Sequence, residues 1–156
     1  MKLKIIAVGT KMPRWVRDGY DEYSKRMPAE LNLQLIEVAL AKRGKNLDIR
    51  RAIAQEGKAM MEQIKPDDFV VALEIDGQSM TTEKLASRLR NWQMAGQDIC
   101  LLVGGPDGNA AECKARANLE WSLSRLTLPH PLVRIVLAEQ LYRAWSINVN
   151  HPYHRA

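Results

Sequence analysis

The chain has 156 residues, of which 46% are apolar and 26% are charged, and its formal net charge is +5. This length suits a single domain over residues 1–156, and a domain of this size buries roughly 70% of the surface that its unfolded chain exposes. The composition excludes a low-complexity or fibrous chain. The excess of positive charge is compatible with nucleic-acid or acidic ligands, and it does not distinguish between them.

Neither secretion nor membrane insertion is indicated. Two cysteines, Cys100 and Cys113, are too few for a disulfide framework. The apolar run near the N-terminus covers only residues 5–8, which is far shorter than the core of a signal peptide. No stretch approaches the roughly 20 apolar residues that cross a bilayer. These features predict a cytoplasmic protein.

Strand-like and helix-like patterns alternate along the chain. In order, the patterns predict strand 3–8, helix 13–26, strand 31–38, a helix from the basic loop 42–46 to about 64, strand 69–75, a turn at 76–77, helix 83–95, strand 99–103, helix 110–117, strand 123–128 and helix 131–147. Such alternation with buried apolar strands predicts an α/β fold, with a parallel sheet flanked by helices on both faces.

Three of the predicted strand ends have the composition of a ligand pocket. One ends at Leu73, one runs into Gly104-Gly105-Pro106-Asp107-Gly108, and the third is the segment 123–128. Ligands of open parallel sheets bind beyond the carboxyl ends of strands, and glycine lets the backbone approach them closely. We expect backbone groups of these loops to hold a small cofactor, with four leucines around its ring. These are Leu73, Leu102, Leu126 and Leu128.

Other chemistries are less well supported. The glycines follow the pattern G-G-x-x-G, which is not the dinucleotide-binding fingerprint, and on local chemistry alone a tight turn is the favoured interpretation. The three histidines lack the spacing of a zinc site, and no metal is expected. Glu74 and Asp76 lie close together, and a solvated turn is a better interpretation of them than a catalytic pair of carboxylates. His130, between two prolines, is interpreted as a residue that shapes the turn.

The motifs taken together resemble one family. They are residues 7–13, 42–46, 103–108, 122–124, 127–134, 139–144 and 150–155, which read AVGTKMP, KRGKN, VGGPDG, SLS, TLPHPLVR, EQLYRA and NHPYHR. The chain resembles, over essentially its whole length, the pseudouridine-N3 methyltransferases of large-subunit ribosomal RNA, in the SPOUT superfamily. This resemblance implies a SPOUT-type fold with a C-terminal trefoil knot, a homodimer, and S-adenosyl-L-methionine as cofactor.

The resemblance also implies where the cofactor binds. The family's cofactor positions correspond to Leu73, Gly104 and the segment 123–128, which are the three strand ends described above. The predicted cofactor-binding residues are therefore Leu73, Gly104, Gly105, Leu123, Ser124, Arg125, Leu126, Thr127 and Leu128.

The implied target is a pseudouridine of 23S ribosomal RNA within assembled ribosomes. N3 of pseudouridine carries a proton that must leave before or during methyl transfer, so a base or a polarising cation would help. The predicted catalytic residues are His154, Tyr153 and Arg143, which follow the cofactor loop and are basic or aromatic. On residues alone, a frayed C-terminus is the favoured interpretation of the tail that contains His154 and Tyr153. The resemblance instead favours a tail that closes the substrate site.

Basic residues outside the tail are candidates for RNA binding. Lys42, Arg43 and Lys45 form a basic loop, and Arg155 lies at the end of the chain. Such side chains bind phosphates, although a solvated loop has the same composition. Two other functions stay open at this point: a methyltransferase of the same fold acting on transfer RNA or another ribosomal base, and an assembly factor whose pocket has lost its activity.

Overall fold

The computed structural model describes residues 1–44 and 48–155. Its strands are β1 (Leu3–Val8), β2 (Leu33–Val38), β3 (Phe69–Ser79), β4 (Ile99–Val103) and β5 (Leu119–Ser122). Its α-helices are α1 (Arg14–Ser24), α2 (Ile49–Met61), α3 (Thr82–Ala95), α4 (Ala111–Arg116) and α5 (His130–Asn148). Two 3₁₀ helices cover Ala29–Leu31 and Pro152–Arg155. The strands form one parallel sheet in the order β2-β1-β4-β3-β5.

Helices cover both faces of this sheet. Alternate residues of a strand point to opposite faces, so Leu3 and Ile5 enter one apolar cluster while Ile6 enters the other. The first cluster is closed by α1, α3 and α5, with α5 packed against both of the others, and the second by α2 and α4. Both clusters are fully buried at the sheet, which explains why the central strands read as continuous apolar runs. The predicted fold class, a parallel sheet flanked by helices, is confirmed.

Two helix boundaries follow directly from local chemistry. The Thr81 side chain accepts a hydrogen bond from the Lys84 amide at 3.1 Å and so caps the start of α3. Gly96 ends the same helix with φ of +69°, a left-handed conformation that glycine adopts without strain. Because β4 follows within three residues, this cap fixes where the chain re-enters the sheet.

The structure corrects three predicted elements. The segment 123–128 is a loop, and the fifth strand is Leu119–Ser122, which pairs with β3. The strand predicted from residue 31 begins at Leu33, because a left-handed Asn32 with φ of 40° separates a 3₁₀ helix from it. The turn predicted at 76–77 is part of β3, which resumes pairing at Gln78 after an irregular segment.

A buried ion pair joins strands at the amino-terminal edge of the sheet. Lys4 Nζ lies 2.8 Å from Asp68 Oδ2, and both side chains are almost fully buried. The Lys65 amide and the Cys100 thiol also donate to the same carboxylate oxygen. Burial alone would raise the pKa of Asp68, but the hydrogen bonds from Lys4, Lys65 and Cys100 outweigh it and hold the pKa below its usual value. Asp68 is therefore charged at neutral pH.

Replacing Asp68 with alanine should destabilise the protein by about 3 kcal/mol at pH 7, because Lys4 is left buried without its partner. A lowered carboxyl pKa stabilises the fold above about pH 4 and ceases to do so as the pH falls through the folded-state value. The difference in the free energy of unfolding between wild type and Asp68→Ala should therefore become smaller in acid. Urea unfolding of both proteins at pH 7 and pH 3 measures this, and an equal difference at both values would contradict it.

Candidate functional site

A cavity of about 820 Å³ lies at the carboxyl edge of the sheet. Its walls come from the ends of β3, β4 and β5 and from the first turn of α5. Eight of the nine predicted cofactor-binding residues line it: Leu73, Gly104, Gly105, Leu123, Ser124, Leu126, Thr127 and Leu128. The three strand ends picked out from the sequence are thus brought together around one space, of a volume within the range of roughly 300–1,000 Å³ typical of small-molecule sites.

Arg125 and Leu102 do not take part in the cavity as the sequence suggested. Arg125 is exposed and is not among the lining residues. Leu102 is fully buried in the apolar cluster beneath α2 and α4, because its position in β4 points it away from Val103, which does line the cavity. Of the four leucines predicted to surround a cofactor ring, Leu73, Leu126 and Leu128 line the cavity.

The glycine segment after β4 is a tight turn that forms one wall. The Gly108 amide donates to the Gly105 carbonyl at 3.0 Å, and Gly108 has φ of +85°. A Cβ on Gly104 would lie 2.5 Å from the Gly108 carbonyl carbon and 2.6 Å from the Asn109 amide nitrogen. These contacts are all with backbone, so the turn closes only because residue 104 has no side chain.

A second wall is an outward bulge of β3. Leu73 and Gln78 both pair with Trp121 of β5, so the four residues between them leave the ladder. The chain returns through Gly77, where a Cβ would lie 2.7 Å from the backbone of Trp121. Glu74, Ile75 and Asp76 consequently line the cavity, and Ile75 is 70% exposed at its mouth. Sequence analysis took this segment for a solvated turn, and the Asp-Gly pair offered no sign of the bulge.

Carboxylates give the cavity its electrostatic character. Glu74, Asp76 and Asp107 line it, with Lys114 Nζ at 3.8 Å from Glu74 Oε2. Burial raises the pKa of Glu74, although the Asn109 hydrogen bond and the charge of Lys114 oppose the shift. Arg43 pairs with Asp107 at 2.8 Å and Lys114 lies near Glu74, so Asp76 is the acidic lining residue whose charge is left to favour a ligand with positive charge.

Asn109 ties two of the walls together. Its Nδ2 atom donates to the carbonyl oxygens of Leu73 and Leu102 at 3.2 and 3.4 Å and to Glu74 Oε1 at 3.3 Å. Asn109 is almost fully buried, and it therefore holds the ends of β3 and β4 in a fixed relation. Sequence reasoning missed this residue. Its position directly after the glycine turn is the signal that could have found it.

The third wall, residues 123–128, is folded by side-chain hydrogen bonds. Ser122 Oγ donates to the Ser124 carbonyl at 3.0 Å, and Ser124 Oγ accepts from the Leu126 amide at 2.9 Å. These local bonds compete with strand pairing, which accounts for a loop where a strand was predicted. They leave Leu126 75% exposed beside the cavity.

His130 is a lining residue at the start of α5. Burial and the nearby Arg134 lower its pKa, so the imidazole is neutral at pH 7. Its Nδ1 atom is buried without a hydrogen-bond partner among the described residues. A Cβ on Gly9 would lie 3.8 Å from His130 Cε1, so the imidazole is near the end of β1. That His130 shapes the turn stays a prediction.

The predicted catalytic residues lie outside this cavity in the same chain. Arg143 Nε binds Glu139 at 2.9 Å, and its guanidinium lies 4.9 Å from the centroid of the Tyr153 ring. Tyr153 and His154 belong to the 3₁₀ helix Pro152–Arg155, which folds back onto α5 instead of fraying. None of the three lines the cavity. Two of them, Arg143 and Tyr153, form part of an aromatic and basic cluster that also contains Tyr142, Trp145, His151 and Arg26.

The predicted RNA-binding residues differ in their surroundings. Lys42 and Arg155 are exposed, and Lys45 lies outside the described residues. Arg43 instead uses its guanidinium within the chain: Nη1 binds Glu56 Oε2 at 2.6 Å, and Nε binds Asp107 Oδ2 at 2.8 Å. An arginine with these partners is less available to a phosphate than the sequence suggested.

The residues that the structure describes hold no candidate metal cluster and no helix that could cross a membrane. Across residues 1–44 and 48–155, no three His, Cys, Asp or Glu side chains come together in a way that could hold a metal ion. No helix found there combines the length and the apolar character needed to cross a membrane.

Comparison with known proteins identifies the fold and the family. The family model described as "Predicted SPOUT methyltransferase" matches residues 1–154. The chain belongs to the SPOUT methyltransferase family. A probable methylase family protein from Haemophilus influenzae Rd KW20 has a similar structure, with a TM-score of 0.55 over 99% of this chain and 70% of that one. At 11% sequence identity, this likeness concerns the fold alone.

Curated SPOUT relatives are much closer in sequence. A protein of Hahella chejuensis (strain KCTC 2396) is 56% identical over 155 residues, covering 99% of both chains. A protein of Marinomonas sp. (strain MWYL1) is 54% identical over 155 residues, covering 99% of this chain and 100% of its own. Both relatives are named "Ribosomal RNA large subunit methyltransferase H".

Proposed function

We propose that this chain is an S-adenosyl-L-methionine-dependent methyltransferase that modifies N3 of a pseudouridine in 23S ribosomal RNA, acting on assembled ribosomes in the cytoplasm. The names of relatives that match almost the whole chain support the class of RNA. The single structural observation that carries the proposal is the cavity in which Leu73, the glycine turn and the segment 123–128 meet. The pseudouridine target and the C-terminal knot rest on the family resemblance.

The residues of the cavity fit the proposed cofactor. S-adenosyl-L-methionine, when bound, supplies an electrophilic methyl group on a positively charged sulfur. Leu73, Leu126 and Leu128 offer an apolar surface for its adenine ring, and the carboxylates of Glu74 and Asp76 suit its positive charge. Apart from the Ser124 carbonyl and the Leu126 amide, which bind serine hydroxyls, backbone groups of the loop 123–128 can recognise the edge of the ring, because this loop does not pair in the sheet.

The protein's part in such a reaction is mainly to position two reactants. Holding a methyl donor and an attacking nitrogen in line can supply much of the rate enhancement, and removal of the N3 proton supplies a further part. Tyr153, His154 and Arg143 are the proposed residues at the attacking base. Because none of them lines the cavity of its own chain, we infer a homodimer in which the tail of one protomer approaches the cavity of its partner.

RNA binding is assigned to exposed basic residues. Lys42 and Arg155 are placed to contact phosphates, and Lys45 belongs to the same basic loop in sequence. The net charge of +5 supports attraction to RNA, which should weaken as salt is added.

The deciding experiment uses the purified protein, S-adenosyl-L-methionine with a labelled methyl group, and assembled ribosomes that lack the modification. We expect label in N3-methylpseudouridine after the 23S RNA is digested to nucleosides. Label in another nucleoside, or in transfer RNA supplied as a competing substrate, would replace the proposed target with that one. Cofactor binding without any transfer would contradict the proposed substrates, and absence of cofactor binding would favour an assembly factor without catalytic activity.

A further inference from the structure

The loop after β2 and the turn after β4 are joined by one arginine. The two strands are separated in the sheet by β1, so their loops have no backbone pairing with each other. Arg43 bridges the gap: its Nε atom donates to Asp107 Oδ2 at 2.8 Å, and Asp107 belongs to the glycine turn that lines the cavity. The arginine is thus in contact with a wall of the proposed cofactor site without lining that site itself.

The other side of the same guanidinium is firmly anchored. Nη1 and Nη2 bind the two carboxylate oxygens of Glu56 at 2.6 and 3.3 Å, and Nη1 also donates to the Ala41 carbonyl at 2.8 Å. Glu56 has a side chain that is 2% exposed, and it accepts the Ala41 amide as well. A bidentate interaction with a buried carboxylate fixes both the position and the plane of an arginine guanidinium.

The glycine turn rests directly on this pair. A Cβ on Gly105 would lie 3.0 Å from Val8 Cγ1 and 3.5 Å from Glu56 Oε1, so the backbone of the turn is pressed against Val8 and the Glu56 carboxylate. Asp107 stands two residues further on, at the tip of the turn, with its side chain 35% exposed. The hydrogen bond from Arg43 therefore holds Asp107, at the tip of the turn, which does not pack against the sheet as Gly105 does.

We propose that Arg43 is a positioning residue for the cofactor site: through its bond to Asp107 it holds the glycine turn in the conformation that forms the cavity wall. This inference rests on the proposed function, because it assigns the turn to cofactor binding. It gives Arg43 a role different from the phosphate contact expected from the sequence. Its effect should appear in the affinity for S-adenosyl-L-methionine and in its KM, and kcat at saturating cofactor should change little.

The test measures cofactor affinity by calorimetry for wild type, Asp107→Asn, Arg43→Lys and the double variant. Asp107→Asn removes the charge that Arg43 binds and leaves the Arg43–Glu56 pair intact. Because Asp107 itself lines the cavity, the double variant distinguishes loss of the shared bond from loss of a direct contact with the cofactor. Arg43→Lys keeps a positive charge beside Glu56, but an ammonium group cannot donate to Glu56 and Asp107 at once in the geometry of a guanidinium. We expect each single variant to weaken binding about tenfold, and the double variant to be no weaker than either, as for one shared interaction.

Two further variants serve as controls. Asp107→Glu keeps the carboxylate and should recover most of the affinity that Asp107→Asn loses, because Arg43 can still donate to it. Arg51→Gln removes an exposed arginine from α2 and should leave cofactor affinity unchanged. Thermal unfolding of every variant shows whether weaker cofactor binding comes from a less stable fold or from a local change in the glycine turn.

Three results would overturn the inference. Wild-type affinity in Asp107→Asn would show that the bond does not position the turn. Weaker ribosome binding in Arg43→Lys, with Asp107→Asn unaffected, would return Arg43 to the RNA interface. Losses that add in the double variant would show that the two residues act separately. A wild type that binds no cofactor overturns the proposed function as well, whereas the first three results leave that function standing.

Discussion

Replacing Gly104 with alanine should lower the affinity for S-adenosyl-L-methionine about 100-fold, or about 2.8 kcal/mol at 1.4 kcal/mol for each tenfold change. The added Cβ would lie 2.5 Å from the Gly108 carbonyl carbon and 2.8 Å from its oxygen, and backbone atoms cannot rotate away as a side chain can. The turn must open, and with it the wall between Gly104 and Gly108. Calorimetry and methyl transfer to ribosomes measure the loss.

Gly96→Ala is the matched control for this prediction. Gly96 also lies in a special conformation, with φ of +69°, but a Cβ there would meet nothing within 4 Å, and the residue caps α3 away from the cavity. It should cost about 1 kcal/mol of stability and leave cofactor affinity unchanged. Equal cofactor affinity in Gly104→Ala and wild type would show that the turn is not part of the binding site.

His154→Ala should reduce the rate of methyl transfer at least about 100-fold while cofactor affinity stays within about twofold of wild type. The size follows from the usual contribution of a positioned acid, base or polarising group. The unchanged affinity follows from the place of His154 in the 3₁₀ helix Pro152–Arg155, outside the residues that line the cavity. Single-turnover transfer with saturating cofactor, together with calorimetry, separates the two effects. Loss of cofactor binding in a folded His154→Ala protein would contradict the assignment of His154 to methyl transfer and not to cofactor binding.

The proposed homodimer adds a sharper form of this experiment. At a cofactor concentration near the wild-type Kd, the Gly104→Ala and His154→Ala proteins should each have low activity when pure, and they carry their defects in different parts of the chain. If the tail of one protomer serves the cavity of the other, mixed dimers contain one site with neither defect, and mixing should restore activity. Activity that stays at the level of the parent proteins would show that each site uses the tail of its own chain.

The strands that lie in the centre of the sheet were predictable because burial on both faces leaves a continuous apolar pattern. Leu3–Val8 and Ile99–Val103 were predicted with the bounds that the structure shows. The strands at the edges were less accessible to sequence reasoning. Leu33–Val38 was predicted two residues too long, and the fifth strand was assigned to the apolar loop that follows it. At an edge, the partner strand decides which residues pair, and the local pattern does not contain that information.

The candidate site was predictable in outline because carboxyl ends of parallel strands meet at one edge whatever the order of the strands. What the sequence could not provide is the set of contacts between loops that are distant along the chain. Asn109 joins β3 to β4, and Arg43 reaches Asp107 across the end of β1. Each is a single polar residue without a local pattern around it. Their roles become visible only when the loops are seen side by side.

In most strands the same residues both pair in the sheet and face the ligand. The bulge between Leu73 and Gln78 divides these two tasks between different residues. Pairing with Trp121 is made by Leu73 and Gln78, and the passage of the chain beside that strand depends on Gly77. Glu74, Ile75 and Asp76 are left with no partner in the ladder, although they face the cavity. Substitutions at these three positions can therefore alter the shape and charge of the pocket without shifting the register of the sheet, which makes this segment a natural place for specificity to diverge.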